Sequence, residues 1–360
     1  LSHQSESKPY CHNSMSFRRF WKPTATSANG NSRVQYLPLR AIAALIGCCP
    51  MELNMQSMKL IGDLYFHLGA PRRNRAIANI QSSFPELSAE EVRTLAKRSM
   101  EHMFQLFVAE GVQMPTLITP NTWQKYVEFK NIEQVTQRLT YKKPTIFITG
   151  HCGNWELLGY VLSVLGYPIA ALARPLDNTL INDWVLGIRE RYGLQVVTKW
   201  GGVRVLQELI RNNTSIGFIA DQNAGDNGMF VPFFGRLAST YKSIGLLAMR
   251  YEIPIAAVHA KRIDGRFKYE VSVTDFIEPS DWKEQADPLF YITARYNKAI
   301  ERMIIDAPEQ YLWLHRRWKS RPKFEMDNKP IPKKLVQQLE SLPWMTNQEL
   351  SSITNCYHLS

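Results

Sequence analysis

The chain of 360 residues is predicted to be an α/β protein, with a mainly parallel central sheet flanked by helices and a helical N-terminal region. Three observations predict this. Between Pro144 and about Val273, short apolar runs alternate with helical segments, the pattern of a parallel sheet covered on both faces. Residues 36–140 instead carry mostly helical periodicity. Polar residues with chemical potential follow directly after several apolar runs, and open sheets of this kind gather their active sites beyond the carboxyl ends of the strands.

Residues 1–34 are rich in Ser, Asn and His and poor in apolar side chains, so they are expected to be a disordered basic segment. A single domain is expected over 35–322, helical over 35–140 and α/β over 141–322. Residues 323–360 read as a polar, Lys-bearing tail with one amphipathic segment near 333–342. Tyr36 to Leu53 is the most apolar early stretch. Arg40 and Pro50 interrupt it, and no run of eighteen apolar residues occurs, so no ordinary spanning helix is expected. It reads either as a helix lying in a membrane interface or as a core helix. Ser88 followed by Glu91 has the capping-box pattern of a helix start. In the helix it opens, Leu95, Met100, Met103, Phe104, Phe107 and Val108 form a stripe suited to core packing or to the wall of a site for a flexible apolar ligand.

Strands are expected at 145–149, 168–173, 194–198, 214–220, 229–233, 254–260 and 267–273. Helices are expected at 154–165, 178–192, 202–212 and 240–250. Ile146-Phe147-Ile148-Thr149 is a buried strand by its β-branched, apolar character. Gly150 ends it, Gly153 permits a tight backbone path, and Asn154 is a suitable N-cap for the apolar helix that follows. His151 then sits on the connecting loop and Glu156 in the first helical turn, where the helix N-terminus favours its ionised form. A hydrogen bond between the two is expected across the turn. It would fix the imidazole tautomer and leave one ring nitrogen to take a proton from a hydroxyl. The alternative is a loop histidine beside a helix-capping carboxylate.

Arg174 follows the strand 168–173 and offers a planar fork of donors for phosphate or carboxylate, unless it pairs with Asp177 or Asp183. Asp221 and Gln222 follow the strand 214–220. Asp221 could align a basic group or an acceptor hydroxyl, or only cap the loop. Ser239 and Thr240 precede an apolar run and read as a helix start whose free amides could hold an anion. From Trp313 to Arg321, aromatics alternate with cations, which suits a lipid headgroup interface or Arg–Trp stacking.

The net charge of +11 favours an anionic partner: an anionic membrane, a phosphorylated substrate or a nucleic acid. The excess lies at the ends, with six Lys/Arg against one Glu in 1–40 and eight against two acids in 311–335. The five cysteines and eight histidines have no metal-type spacing, so no metal is expected. Cys152, next to His151, lacks an evident base and is not taken as a nucleophile. No Gly-x-Ser-x-Gly elbow, phosphate-binding Gly-Lys loop or dinucleotide fingerprint occurs.

Five blocks, in order, resemble one family. They are Arg72 to Ser88; Gly-His151-Cys-Gly-Asn-Trp-Glu156-Leu; Arg174-Pro-Leu-Asp-Asn178; Asp221-Gln222 with Phe230-Val-Pro-Phe-Phe-Gly235 and Thr240; and Pro308-Glu-Gln-Tyr-Leu-Trp-Leu-His315-Arg316-Arg-Trp-Lys-Ser-Arg-Pro322. The chain is thereby similar to the bacterial lipid A late acyltransferases, and to the related phosphatidylinositol mannoside acyltransferases, within the His-x4-Asp/Glu superfamily. The resemblance covers roughly 60–322. It implies a glycerol-3-phosphate acyltransferase-like fold. It also implies transfer of a fatty acyl group from acyl carrier protein, or from acyl-CoA, to a glycolipid hydroxyl of the lipid A precursor type, without an acyl-enzyme and without a cofactor.

On that resemblance His151 is the base and Glu156 its partner. Gly153, Asn154, Arg174, Asn178, Asp221, Gln222, Thr240, His315 and Arg316 are expected to contact substrate. The amides of Gly153 and Asn154 are candidate oxyanion donors on a separate ground, their place at the N-terminus of the helix that follows. The resemblance further implies a peripheral or monotopic place on the cytoplasmic face of the bacterial inner membrane, with an anionic membrane surface as partner. A phospholipid or mannosylated acceptor stays open. So do a non-catalytic lipid-binding relative and a nucleic-acid-binding module, although the latter explains none of the strand-end residues.

Overall fold

The computed structural model describes residues 30–198 and 202–355. Of the segment expected to be disordered, residues 1–29 lie outside the described residues, and 30–34 begin the first helix.

The N-terminal part is α1 (Gly30–Cys48), α2 (Met51–Leu68), α3 (Ala70–Ser83), α4 (Ala89–Phe104), a π-helical turn (Gln105–Glu110) and α5 (Gly111–Leu117). The expected capping box at Ser88 and Glu91 is formed. The helical reading of 36–140 omitted one strand, β1 (Val127–Lys130), which precedes α6 (Glu133–Thr140). Then follow β2 (Ile146–Thr149), α7 (Trp155–Val164), β3 (Ile169–Ala173), α8 (Thr179–Arg189), β4 (Gln195–Thr198), α9 (Gly202–Arg211) and β5 (Ser215–Ile219). A hairpin of β6 (Met229–Phe233) and β7 (Arg236–Thr240) leads to α10 (Ser243–Tyr251), β8 (Ile255–Arg262), β9 (Tyr269–Ile277), α11 (Pro279–Lys283) and α12 (Pro288–Asp306). The chain closes with α13 (Lys323–Met326), α14 (Lys333–Glu340) and α15 (Asn347–Asn355).

Seven strands form the central sheet in the order β1-β9-β8-β2-β5-β3-β4. Every neighbouring pair is parallel except β8 and β9. The buried, apolar character of β2 puts it at the centre, where both faces are covered. Ile146 and Ile148 face a core built with α10, α12 and the β6–β7 hairpin. Phe147 faces the other way, onto α6 and α7. The hairpin stands apart from the main sheet: Thr240 ends a strand, and α10 begins only at Ser243, so the helix start expected at Ser239-Thr240 is not formed.

The segment after Pro322 is not a free polar tail. Ile331, Leu339, Leu342 and Ile353 are buried in the core with α10 and α12, and Lys298 of α12 pairs with Glu349 of α15. The 3.6-residue spacing of its few apolar residues is sufficient once α12 offers a surface to cover.

Candidate active site

The site forms where β2 and β5 end side by side. Their parallel register pairs Thr149 with Ile219, so the residues that follow, His151 and Asp221, emerge together. The ring Nδ1 of His151 lies 2.7 Å from Asp221 Oδ1. Asp221 is almost fully buried. Burial alone would raise its pKa, but the ring of His151, by charge and hydrogen bond and with His315 behind it, holds the carboxyl well below the usual carboxylate range. An ionised carboxylate only accepts, so Nδ1 carries a proton, and in the neutral ring the lone pair is then on Nε2. Nε2 points toward the exposed Gln222, whose amide lies 3.4 Å away. His315 stacks on the His151 ring with centroids 4.6 Å apart, and Trp155 meets it edge-on at 4.9 Å. Burial, and then the neighbouring His151, push the pKa of His315 down to about 4.

The loop is held rigidly. Gly153 has a φ of +61°, and a Cβ there would lie 2.1 Å from the carbonyl oxygen of Ala260. Its amide donates to Gln310 O at 3.0 Å, and the amide of Asn154 donates to Ala260 O at 2.8 Å. Neither is free for an oxyanion, so the expected role of these two amides does not fit. Asn154 does cap α7, its Oδ1 accepting from Leu157 N, while its Nδ2 donates to Glu110 Oε2 at 2.9 Å. Glu110 is fully buried and also receives Arg262 Nη1 at 2.7 Å. The π-helical turn carrying Glu110 therefore anchors the cap of the site helix.

Glu156 departs most from expectation. Its carboxylate is bound by Arg189 of α8 in a two-point pair, Nε to Oε2 at 2.8 Å and Nη2 to Oε1 at 2.5 Å. Asp221 takes the place beside His151 expected for Glu156. The cause is geometric. Glu156 follows the N-cap by two residues on α7 and turns toward α8, whereas the parallel pairing of β2 and β5 brings Asp221 directly to the ring.

The other expected contacts divide. Arg174 after β3 and Arg316 are exposed, and among the described residues neither has an ion pair; the pairing of Arg174 with Asp177 or Asp183 is not formed. Asn178 caps α8 and ties it to α1, its Nδ2 donating to Ser32 O and Gln35 Oε1 at 3.0 Å each. Thr240 is buried, and its Oγ1 receives Arg317 Nη2 at 2.7 Å, so it supports Arg317 rather than facing the site. Cys152 is buried against His259 Nε2 at 3.3 Å, and burial pushes its thiol pKa well up, which keeps it unreactive.

The Arg72–Ser88 block finds its purpose here. Asn79 Nδ2 donates to Trp313 O at 2.7 Å and to His315 O at 2.9 Å, and Arg75 Nη1 to Leu314 O at 3.3 Å. The His315 segment is thus clamped from α3, while Leu312 N donates to His151 O at 3.0 Å. Arg189, Glu110, Arg262, Tyr311 and Arg317 were not anticipated as site-forming. Tyr311 is buried with its hydroxyl toward Asp221. The two adjacent arginines at 316 and 317 gave no hint that one would be exposed and the other buried.

A channel of about 290 Å³ lies beside this site, between the sheet, α7 and α6; Trp155, which meets the His151 ring, forms part of its wall. Its walls are almost wholly apolar, including Leu158, Leu162, Phe147, Val258 and Val135, with Glu156 and Arg189 at the site end.

The model of the bacterial lipid A biosynthesis acyltransferase family matches residues 35–320. The chain belongs to that family. It is therefore an O-acyltransferase. It is 26% identical over 258 residues to a lipid A biosynthesis palmitoleoyltransferase of Escherichia coli, covering 70% of this chain and 80% of that one. It is 23% identical over 272 residues to a lipid A biosynthesis acyltransferase of Haemophilus influenzae, covering 75% and 83%. A lipid A biosynthesis myristoyltransferase of Escherichia coli is 22% identical over 293 residues, covering 78% and 86%.

Proposed function

We propose that this enzyme moves a fatty acyl chain from a thioester donor, acyl carrier protein or coenzyme A, onto a hydroxyl of a lipid A precursor, with His151 as general base and Asp221 as its orienting partner. The observation that carries this reading is the 2.7 Å contact between His151 Nδ1 and the buried Asp221 carboxylate, next to an apolar channel suited to an alkyl tail. The acceptor hydroxyl gives its proton to His151 Nε2, and its oxygen attacks the thioester carbonyl carbon. The imidazolium formed is stabilised by Asp221. Collapse of the tetrahedral intermediate breaks the C–S bond, and the proton passes from Nε2 to the departing thiolate. No protein nucleophile is needed. Burial lowers the pKa of His315, so it remains neutral beside the ring and adds little charge to oppose its protonation.

The exposed cations Arg174 and Arg316 beside the strand ends suit the phosphates of such an acceptor. The same net charge of +11 suits an acidic carrier protein. Among the described residues no helix is long and apolar enough to cross a membrane. Yet α1 and α2 leave Leu37, Leu45, Leu60, Leu64 and Leu68 each more than half exposed. Such a display supports an interfacial seating on an anionic bilayer, placed on the cytoplasmic side of the inner membrane where the thioester donors are available. Mass spectrometry of lipids from cells with the wild-type chain, and with His151→Ala, tests the proposal. The wild type should add one fatty acyl residue to a lipid A precursor, and the variant should not. An acyl gain on a phospholipid instead, or an unchanged gain in the variant, would overturn it. Vesicle flotation with Leu37→Glu and Leu45→Glu together should show weakened binding to anionic bilayers.

A further inference from the structure

One residue of the central sheet in the wall of the channel has no side chain. Gly217 lies on β5, in register with Phe147 of β2 on one side and Ala171 of β3 on the other. A strand so placed ordinarily carries a large apolar side chain against the helix above it. Here a Cβ would meet only the carbonyl oxygen of Ala170, at 3.8 Å, and otherwise open space. Gly217 is half-buried rather than buried, because the surface it exposes is the wall of the channel. Ala171, in register beside it, and Gly159 on α7 also line the channel with little or no side chain.

The depth of this level follows from the strand geometry. Gly217 precedes Asp221 by four residues, and Phe147 precedes His151 by the same number. At about 3.3 Å per residue, the level lies roughly 13 Å from the proposed base. The lining spreads across the sheet on both sides of this level, to Val196 of β4 and to Phe129 of β1 with Ile132 and Val135. An acyl tail that stops short of the level never meets position 217, whereas a longer tail lying along β5 comes against it.

We propose that Gly217 is the residue that admits long acyl chains, by leaving unfilled the one place on β5 where a side chain would block the channel. The inference rests on reading the channel as the acyl site. Any branched side chain at 217 would occupy the volume of the distal methylenes and leave the proximal ones undisturbed. The site's chemistry would be untouched, because His151, Asp221 and Gln222 lie beyond the strand end.

The experiment offers the full-length enzyme an equimolar mixture of dodecanoyl and hexadecanoyl thioesters of acyl carrier protein, with a lipid A precursor as acceptor, and counts the two products by mass spectrometry. Wild type should use both. Gly217→Val should lower the hexadecanoyl-to-dodecanoyl product ratio by roughly tenfold or more, the scale set by misplaced methylenes in an apolar pocket, while dodecanoyl turnover is retained. Gly217→Ala, whose Cβ makes only an ordinary contact, should fall between and guards against a folding defect in the valine variant. A third variant, Leu158→Trp, obstructs the channel near its site end and should depress both donors. If Leu158→Trp depresses both but the ratio is unmoved by either Gly217 substitution, the gating role is overturned while the acyl reading stands. If none of the three variants affects either donor, the acyl reading itself fails. A wild-type enzyme that refuses the hexadecanoyl donor would equally overturn the proposal.

Discussion

Replacing Asp221 by Asn should cost far more activity than replacing Glu156 by Gln, although Glu156 belongs to the His-x4-Glu spacing. The magnitudes follow from the two environments. Asp221 is buried and gives His151 Nδ1 a 2.7 Å contact. A hydrogen bond to a charged group is worth about 1.5–3 kcal/mol, and this one strengthens when the ring becomes an imidazolium. The amide of Asn can also turn its N–H2 toward the ring and impose the wrong tautomer, which in a catalytic triad costs about 10⁴ in kcat. Asp221→Asn is thus expected to lower kcat by about 10²–10⁴-fold. Glu156 and Arg189 are each 27% exposed at the side chain. A pair of that kind contributes on the order of 1 kcal/mol. Glu156→Gln should therefore lower kcat by less than about tenfold. The assay is single-turnover acyl transfer to the glycolipid, with circular dichroism to establish that both variants are folded. A folded Glu156→Gln enzyme as inactive as His151→Ala, beside an active Asp221→Asn enzyme, would refute the assignment.

Three further outcomes are expected. Gly153→Ala forces a side chain onto a φ of +61° and into the Ala260 carbonyl. It should destabilise the fold by about 3 kcal/mol or more, read by urea unfolding, and abolish activity with it. Arg262→Met strands the buried Glu110 carboxylate that steadies Asn154. Breaking such a pair costs about 3–5 kcal/mol, and Glu110→Gln in the same background should restore part of the melting temperature. Acidification should destabilise the protein through His259, whose pKa burial pushes down to about 4. Its ordinary value is near 6.5, so the unfolded chain takes up the proton first. The loss begins as pH falls through 6.5, reaches about 2 kcal/mol at pH 5 and levels off below pH 4. A His259→Gln variant should show a correspondingly flatter pH dependence of unfolding between pH 7 and 5.

His151 was legible because a four-residue buried strand, a glycine and an N-cap leave little choice about where the histidine goes. Arg174, Asp221 and Gln222 were legible for the same reason, as residues that follow apolar runs. Which acid meets the imidazole was not. Sequence spacing favoured Glu156, five positions away, over Asp221, seventy positions away, and only the pairing of β2 with β5 reverses that order. The buried capping role of Asn154 was visible, but its dependence on Glu110 required the packing of the π-helical turn against β8.

The sequence by itself determined the alternation of strands and helices, the loop that presents His151 and the family blocks, because each depends on local hydrophobic period, turn chemistry and capping. Tertiary structure alone decided the partner of the histidine, the engagement of the Gly153 and Asn154 amides, the burial of Arg317 beside an exposed Arg316, and the open channel at Gly217. Those properties depend on which distant backbones come to lie side by side, and a strand's sequence carries its own period but not the identity of its neighbours.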